Sequence, residues 1–154
     1  MDGTGGPKVE KQRDVVFKAM ELRNIGPAYM SGRIADIAVD QNNPSTWYTA
    51  VGSGGVWKTT NAGTTWTPIF DDQPVYSIGD VTIAPSNSNI IWVGTGENNG
   101  GRHISFGDGV YKSLDGGQTW KNMGLKKSEH VSDIIIHPTN PDIVWVSAQG
   151  PLWS

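Results

Sequence analysis

Short apolar segments alternate with turn-forming residues along most of the chain. The segments are rich in Ile, Val, Trp and Tyr, and the residues between them are mostly Gly, Asn, Pro, Ser and Asp. Brief β-rich runs bounded by turn formers predict short strands joined by tight turns. The segments that predict strands are residues 33–40, 47–51, 56–59, 67–70, 78–83, 90–93, 131–136 and 143–146. The pattern is typical of an all-β protein.

Two of the turn segments have nearly the same sequence. Residues 59–66 and 113–120 each run from a Ser or Thr through a Gly to a Trp, and each follows a Gly-apolar-aromatic-Lys step. The apolar residue of that step lies 10 residues before the Trp in both segments. Because sequence and spacing recur together, the chain is built from repeats.

An aspartate marks the period of the repeat. Asp36, Asp80 and Asp133 occupy the same place in the first strand of each copy, and they are separated by 44 and then 53 residues. Four short strands in a period of this size are typical of a propeller blade. Since a catalytic acid is rarely needed in every copy, we expect these aspartates to form structural polar bonds between neighbouring blades.

The sequence therefore predicts an all-β fold, a β-propeller of four-stranded antiparallel blades. It is incomplete, because about two and a half copies are present and closure takes about four to eight blades. The blade copies are about residues 33–70, 77–125 and, incomplete, 130–154. Together they make a partial propeller over residues 17–154, preceded by a polar, Gly-containing segment, residues 1–16, that predicts a flexible N-terminal tail. We expect a fragment of a longer chain, whose open faces are covered by the remaining blades or by self-association.

The turn segments fit the pattern Ser/Thr-x-Asp-x-Gly-x-Thr-Trp and resemble the Asp-box, or bacterial neuraminidase repeat, of sialidases, sortilin-type receptors and xyloglucanases. From about residue 17 onward the chain resembles the start of a secreted bacterial propeller of the sortilin-like, glycosyl-hydrolase-like group. The resemblance implies a binding module for a protein, peptide or glycan ligand. The alternative is the N-terminal part of a glycoside hydrolase whose catalytic residues lie beyond this chain. The resemblance also implies an extracellular or periplasmic location, although no signal peptide is visible in the sequence.

We expect both boxes to be structural turns. The side chain of Asp115 is expected to accept hydrogen bonds from nearby backbone N–H groups, as in an Asx turn. Gly117 suits a positive φ, and Trp120 is expected to hold the turn onto its own blade. The box residues are Thr59, Asn61, Gly63, Thr65 and Trp66 in the first copy and Ser113, Asp115, Gly117, Thr119 and Trp120 in the second.

The second copy contains twelve extra residues between its second and third strands, and this is the polar segment that does not repeat. Insertions into repeats gather on one face and often bind ligands. The candidate ligand-binding residues are Glu97, Arg102, His103 and Asp108, together with Arg33 before the first strand. Three alternatives stay open: a solvated loop with an internal Arg–carboxylate contact, a ligand site, or chemistry. The chemical options are an acid/base pair of Glu97 and Asp108, or a metal site that adds His103.

The chain departs from the catalytic patterns of both enzyme families. Arg33 is followed by Ile34 and Ala35, which does not match the sialidase motif Phe/Tyr-Arg-Ile-Pro. By the resemblance, a xyloglucanase has its catalytic aspartate where Gly52 and Ser53 stand here. We therefore predict no catalytic residue in this chain, and whether the whole protein is an enzyme stays open.

Composition changes this picture little. The net charge is −3 without a basic patch, which excludes a nucleic-acid footprint, and no apolar run is long enough to span a membrane. With no Cys, the chain has no cysteine metal site, and we expect no cofactor or metal. His130 and His137 are predicted to be solvated or capping groups. The tryptophans are predicted to belong to the core, because they follow the repeat.

Overall fold

The computed structural model describes residues 32–98 and 104–151, and within these ranges every regular element is a β-strand. The predicted tail and the segment that follows it lie outside the described residues. The strands are β1 (Ile34–Val39), β2 (Trp47–Val51), β3 (Gly55–Thr59), β4 (Thr67–Pro68), β5 (Ile78–Ala84), β6 (Asn87–Thr95), β7 (Val110–Ser113), β8 (Lys121–Gly124), β9 (Val131–Ile136) and β10 (Val144–Ala148).

The strands form three antiparallel sheets in chain order. The first sheet has the order β1-β2-β3-β4, the second β5-β6-β7-β8, and in the described residues the third contains β9 and β10. The first two strands pair in the same register in the first and second sheets. Ile37 lies opposite Thr49, and Val81, the equivalent of Ile37, lies opposite Val93. The prediction of four-stranded antiparallel sheets in an incomplete propeller is confirmed.

One local prediction differs from the structure. The predicted strands 78–83 and 90–93 leave the turn-forming residues between them as a loop, but β6 begins at Asn87 and leaves a two-residue turn at Pro85 and Ser86. Ala84 pairs with Asn87 across that turn, with a register shift after Ile83. The polar side chains here lie on strand ends that face solvent, so composition alone indicated a loop.

The core lies between the sheets. Between the first and second sheets, Tyr48, Val56 and Phe70 belong to one buried cluster with Val81 and Tyr111. A second cluster lies between the second and third sheets, where residues such as Trp92 and Ile134 are buried. The second sheet therefore contributes side chains from both of its faces, and a neighbouring sheet must be present for either face to be buried.

The repeated aspartates connect neighbouring sheets. The Asp36 carboxylate accepts from the backbone N–H of Val81 in the next sheet at 3.4 Å, and the backbone N–H of Ile134 stabilises the charge of Asp80 in the same way. The predicted polar bond between blades is thus confirmed for Asp36. Burial, followed by the charges of Asp36 and Asp133, raises the pKa of Asp80 to about 7.

The second Asp-box is a turn closed by its own side chains. Asp115 Oδ1 accepts from Ser113 Oγ at 2.7 Å and from the N–H of Thr119 at 2.9 Å, while Oδ2 accepts from Thr119 Oγ1 at 2.5 Å. These bonds, with the Thr119 hydroxyl foremost, lower the pKa of Asp115 to about 2. Gly117 donates its N–H to Ser113 Oγ at 2.8 Å with φ at +89°, a conformation that favours glycine.

The first Asp-box makes the same turn with an amide. Asn61 Oδ1 accepts from Thr59 Oγ1 and from the N–H of Thr65, both at 2.9 Å. The amide nitrogen of Asn61 donates to Thr65 Oγ1 at 2.9 Å, replacing the bond that the second carboxylate oxygen of Asp115 makes. The turn therefore needs an acceptor at this position and not a charge.

The second box also holds two sheets together. Trp120 donates its indole N–H to the carbonyl of Ile69 in the first sheet at 2.7 Å, and its ring stands edge-on to Phe70 with centroids 5.2 Å apart. Trp120 was expected to hold the turn onto its own blade. Its contacts instead attach the turn to the preceding sheet. The box is therefore an element of the interface between sheets.

The outer faces of the first and third sheets remain open in the described residues. Ile37 and Trp66 are exposed on the first sheet beside a groove of about 360 Å³, and Trp145 is 55% exposed on the third. The prediction that the tryptophans are core residues is therefore right for Trp57 and Trp92, which are buried, and wrong for Trp66 and Trp145. Trp153 lies outside the described residues.

The elevated pKa of Asp80 predicts that stability falls as pH rises. The folded chain holds the proton up to about pH 7, whereas an unfolded aspartate with its ordinary value of 3.8 has already released it. The protonated Asp80 side chain therefore stabilises the fold at low pH. This contribution is lost as the pH rises from 3.8 to about 7. Asp80→Asn lacks this titration. Between about pH 5 and about pH 8, its free energy of unfolding should therefore rise by about 2 kcal/mol relative to that of the parent chain, as measured by urea unfolding.

The matched control for this experiment is Asp142→Asn, since Asp142 is an exposed carboxylate in the loop between β9 and β10. Its pH dependence is expected to follow that of the parent chain. Parallel pH profiles for Asp80→Asn and the parent chain would contradict the prediction.

Candidate functional site

Arg33, Gly52, Glu97 and His130 lie close together at one end of the sheets. The second strands β2 and β6 end there, and the first strands β1 and β9 begin there, because neighbouring strands are antiparallel. Gly52 and Glu97 therefore follow strands at this end, whereas Arg33 and His130 precede strands. Residues from all three sheets thus come together around Glu97, which opens the segment that does not repeat.

Glu97 is a buried carboxylate held by an arginine. Its exposed fraction is 0%, while the side chain of Arg33 is 56% exposed. Arg33 Nε donates to Glu97 Oε1 at 2.6 Å, and Arg33 Nη2 contacts the same oxygen. The backbone N–H of Glu97 donates to Ser77 Oγ at 3.0 Å. Glu97 is therefore not solvated, and its arginine partner lies outside the non-repeated segment. The expected contact within the segment would involve Arg102, which lies outside the described residues.

The second oxygen of the Glu97 carboxylate has no hydrogen-bond partner among the described residues. A buried charged oxygen without a donor is energetically costly, and in native proteins such an atom usually has a specific reason. The Arg33 guanidinium offsets part of this cost from one side only. Within residues 32–98 and 104–151, this oxygen therefore has no donor.

His130 lies against the backbone of Glu97 and is fully buried. Its Nδ1 is 2.7 Å from the Glu97 carbonyl oxygen, so Nδ1 carries a proton and donates it. Nε2 has no partner among the described residues, and the ring lies 5.6 Å from that of Phe106. The prediction of a solvated or capping side chain is wrong for His130. It holds for His137, whose Nδ1 accepts from the N–H of Asn140 at 3.2 Å.

Because Gly52 has no side chain, the Glu97 carboxylate can occupy the space beside it. A Cβ at position 52 would lie 2.8 Å from Glu97 Oε1 and 2.9 Å from its carboxyl carbon, closer than real Cβ contacts allow. By the resemblance, a catalytic aspartate stands near this place in xyloglucanases. In this chain the carboxylate at this place comes from the next sheet instead, and it is buried.

Asp108 has a different environment from Glu97. Its Oδ2 accepts from the Tyr111 hydroxyl at 2.8 Å, and its N–H donates to Thr95 Oγ1 at 2.9 Å. These bonds fasten the end of the non-repeated segment to β6 and β7. No contact joins Asp108 to Glu97 in the described part of the chain. Arg102 and His103, the remaining candidates, lie outside the described residues.

Residues 32–98 and 104–151 contain no group of three or more His, Asp or Glu side chains placed to hold a metal ion. The predicted alternative of a metal site depended on His103, which lies outside these ranges. A search of the same ranges finds no helix suited to crossing a membrane.

The structure resembles solved GH74 enzymes. An ancestral GH74 enzyme matches with a TM-score of 0.62 and 19% identity, over 80% of this chain and 17% of its own. The Niastella koreensis GH74 enzyme matches with a TM-score of 0.51 and 27% identity, over 69% of this chain and 16% of its own. For a GH74 xyloglucanase from Xanthomonas campestris the TM-score is 0.50 and the identity 18%, over 68% of this chain and 16% of its own.

These similarities show that the chain has the fold of part of a propeller-type glycoside hydrolase. It spans less than a fifth of the length of each of the three enzymes. No protein-family model and no curated protein matches it. The sortilin-like resemblance stays a prediction.

Removing the cation from this site should destabilise the fold. Arg33→Met removes the ion-pair partner that the described residues supply to the buried Glu97 carboxylate, and we expect a loss of about 1–3 kcal/mol in the free energy of unfolding. Adding Glu97→Gln to that variant removes the stranded charge and should recover part of the loss. The measurement is a double-mutant cycle by urea unfolding. Additive effects of the two changes would contradict the ion pair.

Proposed function

We propose that this chain supplies blades to a propeller-type glycoside hydrolase or a related glycan-binding protein, and that its own part binds the glycan without cleaving it. The observation that carries the proposal is the exposed guanidinium of Arg33, fixed by the fully buried carboxylate of Glu97. The pair lies at the sheet end from which the non-repeated segment extends.

The Arg33–Glu97 pair suits hydroxyl-rich ligands. A guanidinium carries five N–H donors in a rigid plane, and the ion pair leaves part of the Arg33 side chain in contact with solvent. Arg33 therefore contacts the ligand in this proposal, and Glu97 positions it. A sugar hydroxyl both accepts and donates hydrogen bonds, and the exposed guanidinium of Arg33 supplies the donors it would meet first.

Two comparisons support a glycan as the ligand class. The Niastella koreensis enzyme combines 27% identity with a matching fold, and the Xanthomonas campestris enzyme is a xyloglucanase. Xyloglucan oligosaccharides are therefore the first probe to use. A location outside the cytoplasm, where such polysaccharides are met, belongs to the same proposal.

An arginine exposed in this way also suits a carboxylate, which a guanidinium binds with two parallel hydrogen bonds. That observation favours the second candidate function, a peptide- or protein-binding module of the sortilin-like kind. The two candidates differ in the probe that binds. Acidic peptides would bind in a salt-dependent manner, whereas neutral oligosaccharides would show little dependence on salt.

The binding proposal predicts that xyloglucan oligosaccharides bind and that two substitutions weaken them. Arg33→Met should reduce affinity about tenfold, because it removes the donors, and Glu97→Gln should reduce it about fivefold, because Arg33 loses its fixed orientation. Isothermal titration calorimetry at low and high salt is the measurement. Each variant is first checked by far-UV circular dichroism to separate loss of binding from loss of fold.

Lys121→Met is the matched control, since Lys121 is an exposed cation at the start of β8, at the end of that sheet near the Asp-box. It should bind as the parent chain does. Acidic peptides binding through Arg33 while oligosaccharides do not would favour the sortilin-like function. If neither probe binds, the binding proposal is wrong.

The chain itself should not hydrolyse aryl glycosides. Glycoside hydrolysis commonly needs two accessible carboxyl groups, about 5–5.5 Å or about 6.5–9.5 Å apart. Glu97 is buried against Arg33, and Asp108 is bonded to Tyr111. Release of nitrophenol from aryl glycosides is the assay, with no turnover expected. Turnover that Glu97→Gln abolishes would overturn this prediction and make Glu97 a catalytic residue.

A further inference from the structure

A cavity of about 240 Å³ lies between the first and second sheets, at the end opposite to Glu97. Strands β1 and β5 end there, at Val39 and Ala84, and both residues belong to its walls. Every residue that lines the cavity is in the described part of the chain. Pockets for drug-sized ligands usually measure about 300–1,000 Å³, so this smaller cavity suits a ligand of few atoms.

Asp40 is the one charged residue among those that line this cavity. It is 6% exposed. Its Oδ1 accepts from the backbone N–H of Asn42 at 2.9 Å and from Ser88 Oγ at 2.7 Å. Both of these bonds go to the same oxygen, whereas a carboxylate accepts through two. The wall of the cavity therefore includes a nearly buried carboxylate that is bonded to uncharged donors.

The repeat does not require a carboxylate at this place. Counted from the repeated aspartates, Ala84 and His137 stand in the place of Asp40 in the second and third copies. The Ala84 side chain has no acceptor, and His137 Nδ1 accepts from the N–H of Asn140 at 3.2 Å in the equivalent turn. Burying a charge costs free energy unless a cation compensates it. A carboxylate that the turn can do without therefore points to a second role.

Lys58 does not supply a cation to the cavity. Asp40 attracts Lys58 through space, but Lys58 Nζ donates to the carbonyl oxygen of Gly116 at 2.9 Å. The same nitrogen lies 5.2 Å from the centre of the Tyr48 ring. Lys58 is not part of the cavity wall. The cavity therefore presents a negative charge to a ligand that enters it.

The rest of the lining indicates which kind of cation fits. Its other polar side chains are uncharged, and its apolar part includes Val39, Ile83 and Pro85. A calcium ion takes about six to eight oxygen ligands and would leave this apolar part unused. An ammonium group has three N–H donors and can be carried on an apolar carbon chain. The combination of one carboxylate and an apolar wall therefore suits a small organic amine.

We propose that this cavity binds a small primary amine in its ammonium form, with Asp40 as the charge partner. The ammonium nitrogen donates to the Asp40 carboxylate, and the carbon chain packs against Ile83 and Pro85. The site lies at the other end of the sheets from Arg33 and Glu97. It can therefore be tested independently of glycan binding.

The test is a titration of the full chain with n-butylammonium chloride, followed by the amide shifts in two-dimensional NMR spectra. We expect saturable shifts at residues 39–42 and 82–84 with a Kd of about 1 mM, which is within reach of a ligand of so few atoms. Asp40→Asn should weaken binding at least about tenfold, because it removes the charge. The amide oxygen can still accept from Asn42 and Ser88, as the amide oxygen of Asn61 replaces a carboxylate oxygen in the first Asp-box.

Two controls separate this site from general attraction of cations or of apolar chains. Asp142→Asn removes an exposed carboxylate outside the cavity and should leave the Kd unchanged. Butan-1-ol has the same carbon chain without the charge, and it should bind the parent chain at least about tenfold more weakly than n-butylammonium. This comparison needs no variant, so it decides the question even if Asp40→Asn does not fold. Absence of saturable shifts at these residues, or equal affinity for the alcohol and the amine, would overturn the proposal. Binding to a folded Asp40→Asn variant as tight as to the parent chain would do the same.

Discussion

A four-stranded sheet of this repeat has apolar side chains on both faces, and the whole structure depends on covering both of them. Tyr48 and Phe70 point into the cluster shared with the second sheet, while Ile37 and Trp66 on the same first sheet remain exposed. No sheet is therefore a stable unit on its own, and burial is gained one interface at a time. The polar contacts between sheets add to this apolar burial, and they fix how neighbouring sheets align.

Two kinds of polar contact fix that alignment. Near the inner strands, Asp36 accepts from the backbone N–H of Val81. Near the Asp-box, Lys58 and Tyr48 donate to the Gly116 carbonyl. Burial, assisted by the charge of Asp40, raises the pKa of Tyr48 to about 12, so its hydroxyl remains a donor at any ordinary pH. The Asp-box thus serves two sheets, closing a turn on one and accepting from donors on the other.

Much of the fold was predictable from the sequence, because the repeat shows itself in local patterns. The strands follow from short apolar runs, and the turn at Asp115 follows from a side chain that bonds its own backbone neighbours. The candidate site was predictable only in part. Glu97 stood out because it belongs to a segment that does not repeat, but its burial depends on Arg33, 64 residues away. His130 was missed, since its contact with the Glu97 carbonyl depends on how the third sheet packs on the second.

The close approach of Glu97 to Gly52 limits the carboxylates that this end of the sheets can hold. A side chain at position 52 and the carboxylate of Glu97 compete for the same space, so a larger residue there would force the Glu97 carboxylate to move. An acid at position 52 would in addition bring two negative charges together beside one guanidinium. Loss of Glu97 with no acid in its place would leave Arg33 without the anion that holds it.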